Sequence, residues 1–185
     1  MRELIATSAL PPARVAVSQT ASVEVISAGS YVRLQISSRD PAPAEIDVLG
    51  TTLLREPDSC RALDPIAWWL APQTWLVASR EHSSTALIAA LESACAGRSC
   101  AIVDVSDSLV ALQVSGPSAR EILARGTGFD VRAASFAPGR SARVAFAQLP
   151  VLLRPIAEDD FELLVDRSAA RWLVAWLSTT ASALS

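Results

Sequence analysis

The chain has 185 residues, 51% of them hydrophobic, with a net charge of −3: enough apolar side chains to bury a substantial core, and no positive excess to hold a polyanion. All sixteen basic residues are arginine, scattered singly, and the absence of lysine excludes Schiff-base chemistry, a lysine general base and the phosphate lysine of a Walker A loop. Three cysteines without a C-x-x-C pair, Cys60, Cys95 and Cys100, argue against a disulfide framework or a zinc site, and no apolar run reaches the about 18 residues of a membrane-spanning helix. A cytoplasmic protein with neither nucleic acid nor membrane as partner is the expectation.

In chain order, residues 1–28 are rich in Ala, Ser, Val, Thr and Pro, and Pro11-Pro12 favours an extended arm. Short edge strands fit 15–17 or 23–26. The alternation of YVRLQI predicts a strand over 31–36 and SSRDPAP a turn over 37–43, followed by a short helix over 45–49 that ends at Gly50. The polar stretch 51–64 reads as a loop. Residues 65–70 and 74–78 flank Ala71-Pro72-Gln73 as a hairpin, and Ser83 or Ser84 caps a helix running to about residue 96, closed by Gly97.

Residues 101–125 combine strand, turn, strand and helix. Ile102, Val103 and Val105 form a β-branched run, the Asp104–Ser108 segment supplies turn chemistry, and Val110, Leu112 and Val114 alternate with smaller or polar neighbours. Gly116-Pro117 breaks that strand, and Ser118 with Glu121 fits a capping box for a helix carrying Ala119, Ile122 and Leu123. A connection over 127–138 is anchored by Phe129 and Phe136. Strands follow at 142–149, 151–156 and 161–165, joined by Pro150 and by Glu158-Asp159-Asp160. Ser168 starts a last helix with Trp172, Leu173, Trp176 and Leu177 on one face.

The chain repeats itself. LQIS (34–37) matches LQVS (112–115), and WLVAS (75–79) matches LLVDR (163–167). A duplicated β-α-β-β-β-α unit, over about 31–97 and 101–180, explains the pattern and predicts an α+β fold with mainly antiparallel sheets.

Candidate chemistry is sparse. His82 is the sole histidine, and no G-x-S-x-G elbow accompanies it. Asp104 and Asp107 fit turn capping better than acid–base pairing, and Glu158-Asp159-Asp160 a hairpin tip better than a calcium loop. Gly116, Gly126 and Gly128 do not form a dinucleotide fingerprint, so backbone roles are expected. Arg120, Arg125, Arg140 and Arg143 lie close enough in sequence to grip a carboxylate or phosphate. No catalytic, cofactor-binding or metal-binding residue is assigned. Five tryptophans, Trp68, Trp69, Trp75, Trp172 and Trp176, stand against one tyrosine and four phenylalanines. Trp68 and Trp69 must point to opposite faces of a strand, so unless both faces are covered, one ring is free to anchor a partner, and all five tryptophans are the candidate partner interface.

LAPQTWLVA (70–78), IVDVSDSLVALQVSGPSAREILARGTGFDV (102–131), SFAPGRSARVAFAQLPVLLRPI (135–156) and FELLVDRSAARWLVAWL (161–177) resemble, in that order, the gamma subunit of heterotetrameric sarcosine oxidase. The most specific parts are D-V-S before S-G-P-x-A-R, the F-x-P-G-R turn, and the R-S-x-A-x-x-L-x-x-W-L ending. The resemblance covers 65–178 well and 31–64 loosely, and implies a gamma-like domain over 29–185 preceded by an arm.

That family resembles the folate-binding aminomethyltransferase (T-protein) fold, itself duplicated. The resemblance implies an accessory, non-catalytic subunit packed on a large alpha subunit, with beta and delta subunits in the same complex. That complex demethylates sarcosine to glycine with FAD, FMN and NAD and passes the one-carbon unit to tetrahydrofolate, all of these bound by the partner subunits. The chain departs from the family at the turn before Trp75, where Ala71-Pro72-Gln73-Thr74 replaces a pattern like Gly-Pro-Asp-Glu. A free-standing folate-binding protein or aminomethyltransferase-like enzyme is the alternative, although the Lys-Gly-Cys signature of the repair members is impossible without lysine. A self-associating scaffold is the third reading.

Overall fold

The computed structural model describes residues 10, 12–17, 20–26, 29–40, 45–61 and 63–184. Two antiparallel sheets form the centre. The first contains, in spatial order, β6 (Cys60–Arg61), β7 (Ile66–Ala71), β8 (Thr74–Ser79), β3 (Ser30–Ile36) and β9 (Cys100–Asp104). The second runs β1 (Ala13–Val17), β2 (Ser22–Val25), β10 (Leu109–Ser115), β13 (Asp160–Asp166), β12 (Leu149–Ala157) and β11 (Ala142–Phe146). Helix α1 (Ser84–Ala94) covers the outer face of the first sheet; α2 (Ala119–Gly126) and α3 (Ala170–Ser182) cover that of the second.

The period of two in each strand decides which side chain meets which layer. Val32, Leu34 and Ile36 of β3, with Trp75 and Val77 of β8, meet Leu87 and Leu91 of α1. Val110, Leu112 and Val114 of β10, with Phe161, Leu163 and Val165 of β13, meet Ile122, Leu123, Leu173 and Leu177 of α2 and α3. The alternate positions, among them Tyr31, Trp68, Leu76, Ala111 and Leu164, form a third core between the sheets. The result is a sandwich of helix, sheet, sheet and helices.

The duplication is present, with a different frame. In each sheet the same succession recurs: β3-β8-β7-β6 corresponds to β10-β13-β12-β11, and the strand added beside β3 is β9 while that beside β10 is β2. Each repeat therefore begins with a strand, β2 or β9, that pairs antiparallel with the other repeat's sheet. The exchange leaves neither half able to complete a sheet alone. Strands β1 and β2 are accordingly part of the second sheet rather than an arm outside the domain. The Val23–Val25 segment is not an edge strand, since β2 lies between β1 and β10 and buries both valines. Pro11 and residues 41–43 of the expected turn lie outside the described residues.

Other expectations change locally. The helix expected over 45–49 is a β-hairpin, β4 (Asp47–Val48) with β5 (Thr51–Thr52), turned at Leu49-Gly50 with φ of 51° and 85°. Its apolar residues Ile46, Val48 and Leu53 fill the core beneath α1, a tertiary gain that overrides weak local helix propensity. The turn between β11 and β12 falls at Ala147-Gln148, both at positive φ, the geometry of a primed hairpin turn, and Pro150 lies inside β12. Ser83 caps α1, accepting from the Ala86 amide at 3.3 Å. The capping box at α2 does not form: Ser118 makes no side-chain cap, and Glu121 instead pairs with Arg125 at 2.8 Å.

The β7–β8 turn places Pro72 before Gln73, which sits at φ 57° and leaves its buried side-chain carbonyl without a partner among the described residues. A left-handed non-glycine residue and an unsatisfied buried acceptor each cost on the order of 1 kcal/mol, and glycine at this position removes both at an entropic penalty. Gln73→Gly is therefore expected to stabilise the chain by about 1 kcal/mol, raising Tm by about 2–4 °C. A lowered thermal midpoint would overturn that assignment of strain.

Candidate functional site

The residues singled out in the sequence do not converge. Asp104 accepts from the amide and hydroxyl of Ser106 at 2.9 and 2.6 Å, closing the turn after β9. Partial burial opposes ionisation there, but these hydrogen bonds win and the carboxyl stays below its usual range. Asp107 faces Arg167 at 3.9 Å. The acidic tip between β12 and β13 is held in place: Arg120 donates to the Glu158 carbonyl and lies 3.6 Å from the Asp159 carboxylate, while Asp160 accepts from Gln113 at 2.7 Å.

His82 is half-buried, its amide donating to Ser79 Oγ at 2.8 Å. The side chains of Asp64, Glu81 and His82 approach within 4.8 Å of one another. The Asp64 carboxylate already accepts from the Ser79 hydroxyl and the Arg80 amide, which makes it the brace of the turn leading into α1.

The four arginines also separate. Arg120 is spent on the tip just described and lies over the Phe161 ring at 4.9 Å; Arg125 pairs with Glu121 and Arg140 approaches Glu56 at 3.9 Å. Arg143 alone of them borders a cleft between the sheets. Gly116, at φ 108°, brings the backbone so close to the Thr20 carbonyl that a Cβ would sit 2.6 Å from it, and Gly126 lets the end of α2 rest on the Phe146 ring.

A polar cluster that sequence reasoning missed lies between the sheets. Arg154 of β12 and Glu162 of β13 are 5% and 3% exposed, with Nε and Nη2 of the guanidinium 2.6 and 2.5 Å from Glu162 Oε2. Arg80 reaches Glu162 Oε1 at 3.5 Å from the solvent side. The Arg154 guanidinium lies over Trp68, 5.4 Å from the ring centroid. Burial pushes the Tyr31 hydroxyl up to about 12, with the Glu162 charge adding to it, and burial likewise pushes the Cys60 thiol up to about 12. Cys60 is thus a protonated, inert thiol at neutral pH. The legible signal was one charge in each of two otherwise apolar strands, VLLRP and FELLV.

The tryptophans resolve by layer. Both faces of β7 are covered within the chain. Trp68 is fully buried between the sheets, and Trp69 packs, half-buried, on the α1 side. Trp75 is 1% exposed and donates to the Leu54 carbonyl at 2.6 Å. Trp68 and Trp75 are therefore core residues, a correction to their expected role as partner anchors, and Trp69 is largely occupied by its own chain. Helix α3 differs. Trp172 is 51% exposed, and with Ala175, Trp176, Thr179 and Thr180 it lines a shallow groove of about 270 Å3. Trp176 stacks edge-on to Phe146, with centroids 5.3 Å apart, which fixes one wall. The Thr179 and Thr180 hydroxyls donate back to the Ala175 and Trp176 carbonyls at 3.0 and 2.9 Å, so the groove's hydroxyls are already satisfied. An exposed aromatic on a rigid helix beside a groove of this kind has the character of an interface anchor.

Fold and site together define a class: a two-sheet α+β sandwich of aminomethyltransferase type with an aromatic helix face on its surface. In fold it is similar to the glycine cleavage system aminomethyltransferase T from Bartonella henselae (TM-score 0.59, 19% identity, 85% of this chain and 45% of that one). Residues 59–183 match the sarcosine oxidase, gamma subunit family, and the chain belongs to that family. It is 29% identical over 117 residues to the sarcosine oxidase subunit gamma of Corynebacterium sp. (strain U-96), a match spanning 63% of this chain but only 56% of that relative's length. A chain of the heterotetrameric sarcosine oxidase from Corynebacterium sp. U-96, solved in complex with pyrrole 2-carboxylate, shares the fold with a TM-score of 0.79 at 21% identity over 91% of this chain and 87% of that one. Among the described residues no helix is long and apolar enough to cross a membrane.

Proposed function

We propose that the chain is the accessory gamma subunit of a cytoplasmic heterotetrameric sarcosine oxidase, without catalytic residues of its own. It docks on a large alpha subunit through the outer face of α3, in a complex completed by beta and delta subunits. The partner subunits bind FAD, FMN, NAD and tetrahydrofolate, oxidise sarcosine to glycine and pass its one-carbon unit to tetrahydrofolate. Family membership supports the assembly, and the single observation that carries the contact is Trp172, half exposed beside a groove on a helix whose opposite face is fully packed. An exposed tryptophan is tolerated best where a partner covers it.

Co-expression with the large subunit tests both parts. The two chains are expected to co-elute on a sizing column. Trp172→Asp is expected to weaken association by about 2 kcal/mol or more, roughly thirtyfold, while leaving the thermal midpoint of the lone chain nearly unchanged. Separate elution of the wild-type chains would overturn the reading. Undiminished association of the variant would move the contact elsewhere. The T-protein-like fold favours one alternative, a free-standing folate-binding protein, for which tight binding of tetrahydrofolate by the lone chain is the diagnostic.

A further inference from the structure

Where the two sheets part, a cleft of about 210 Å3 opens between them. Its floor follows from strand register. In the second sheet Arg143 of β11 stands opposite Leu152 of β12, and Leu152 opposite Leu164 of β13. In the first sheet Arg33 of β3 stands opposite Leu76 of β8. Cross-strand partners share a face, so each sheet brings an arginine beside leucines to the same space. Asp166 of β13 lies in the lining as well.

Eight of the sixteen arginines pair with carboxylates among the described residues, Arg80, Arg120, Arg125 and Arg154 among them. The two at this cleft do not. Arg33 donates to Gln35 Oε1 at 3.3 Å, and neither Arg33 nor Arg143 forms an ion pair among the described residues. Both are exposed, and the lining carries two guanidinium groups against one carboxylate. An apolar concavity with a few convergent charged groups is the usual make-up of a small-ligand site, and guanidinium is the side chain best matched to a carboxylate. The volume exceeds the about 150 Å3 that holds benzene and falls short of the about 300 Å3 at which drug-sized pockets begin.

We propose that this cleft binds a small monocarboxylate with a one-ring or branched apolar body, its carboxylate held by Arg33 and Arg143 and its body resting on the half-buried Leu70, Leu109 and Leu152. The site is separate from the α3 face and does not depend on the assembly reading.

Isothermal titration of the full chain with benzoate, and with neutral benzamide as control, tests it. Benzoate is expected to bind at one saturable site, at least about tenfold more tightly than benzamide, because an unpaired guanidinium gains a charge-assisted bond only from the anion. Arg33→Gln and Arg143→Gln should each weaken benzoate by about tenfold or more, Asp166→Asn should strengthen it, and added salt should weaken it. These three residues are exposed, so unchanged thermal midpoints are expected and certify the fold of each variant. The proposal is overturned if benzoate fails to bind up to its solubility limit, if benzamide binds equally well, if both arginine variants bind like wild type, or if Asp166→Asn weakens binding.

Discussion

Replacing Glu162 with alanine is expected to destabilise the chain by about 3–5 kcal/mol, the usual consequence of breaking a buried ion pair by removing one partner. The reason lies on the Arg154 side. Its guanidinium is 5% exposed, and with Glu162 gone it is left with the Trp68 ring as neighbour and no carboxylate. A cation–π contact contributes about 2 kcal/mol at best when desolvated, well short of the several kcal/mol needed to offset desolvation of an ion. Arg80, reaching Glu162 from solvent at 3.5 Å, simply returns to water. Urea unfolding should register the change as a lower midpoint with an unaltered slope. The double replacement Arg154→Met with Glu162→Leu is expected to recover most of the loss, since an apolar pair of similar volume needs no compensating charge. A loss below about 1 kcal/mol for Glu162→Ala would mean the pair acts like an exposed one.

Deletion of residues 1–26 is expected to abolish folding. Strand β2 contributes Val23 and Val25, 0% and 5% exposed, to the core beneath α2 and α3, and burying two such side chains stabilises by about 3–6 kcal/mol. The deletion also strips β10 of its ladder partner, turning an interior strand into an apolar edge. The sum approaches the about 5–15 kcal/mol by which a whole domain is stable. Circular dichroism and sizing chromatography of the truncated chain should report loss of structure or aggregation. A truncated chain that melts cooperatively near the wild-type temperature would mean that the exchanged strand is dispensable.

That strand also marks the limit of what was legible beforehand. Its signal was faint: by register Val23-Glu24-Val25 of β2 takes the place that Cys100-Ala101-Ile102 of β9 takes in the other sheet, and the two segments share only an alternation of apolar residues. The alternation is short, and the Pro-rich segment around it argued for an arm. The segment at 47–52 forms a hairpin and not a helix because Glu45–Leu49 carries no strong helical period, and only the core under α1 decides what those residues become. The aromatic face of α3 was visible as a helical stripe. Its two tryptophans could not be separated from Trp68, Trp69 and Trp75, because exposure depends on which layer covers which face. Of the arginine group, Arg143 was legible, whereas its companion Arg33 lies about a hundred residues away and meets it only through the apposition of two sheets.

The sequence by itself determined the mixed α+β class, the strands and helices of the second repeat, the duplication and the family, because these rest on local periodicity, turn chemistry and short ordered motifs. Only the tertiary structure decided the exchange of strands between repeats, the burial of Trp68 over Arg154 and Glu162, the exposure of Trp172 and the cleft between Arg33 and Arg143. Each of those depends on which sheet lies against which, a pairing between distant segments that no local pattern encodes.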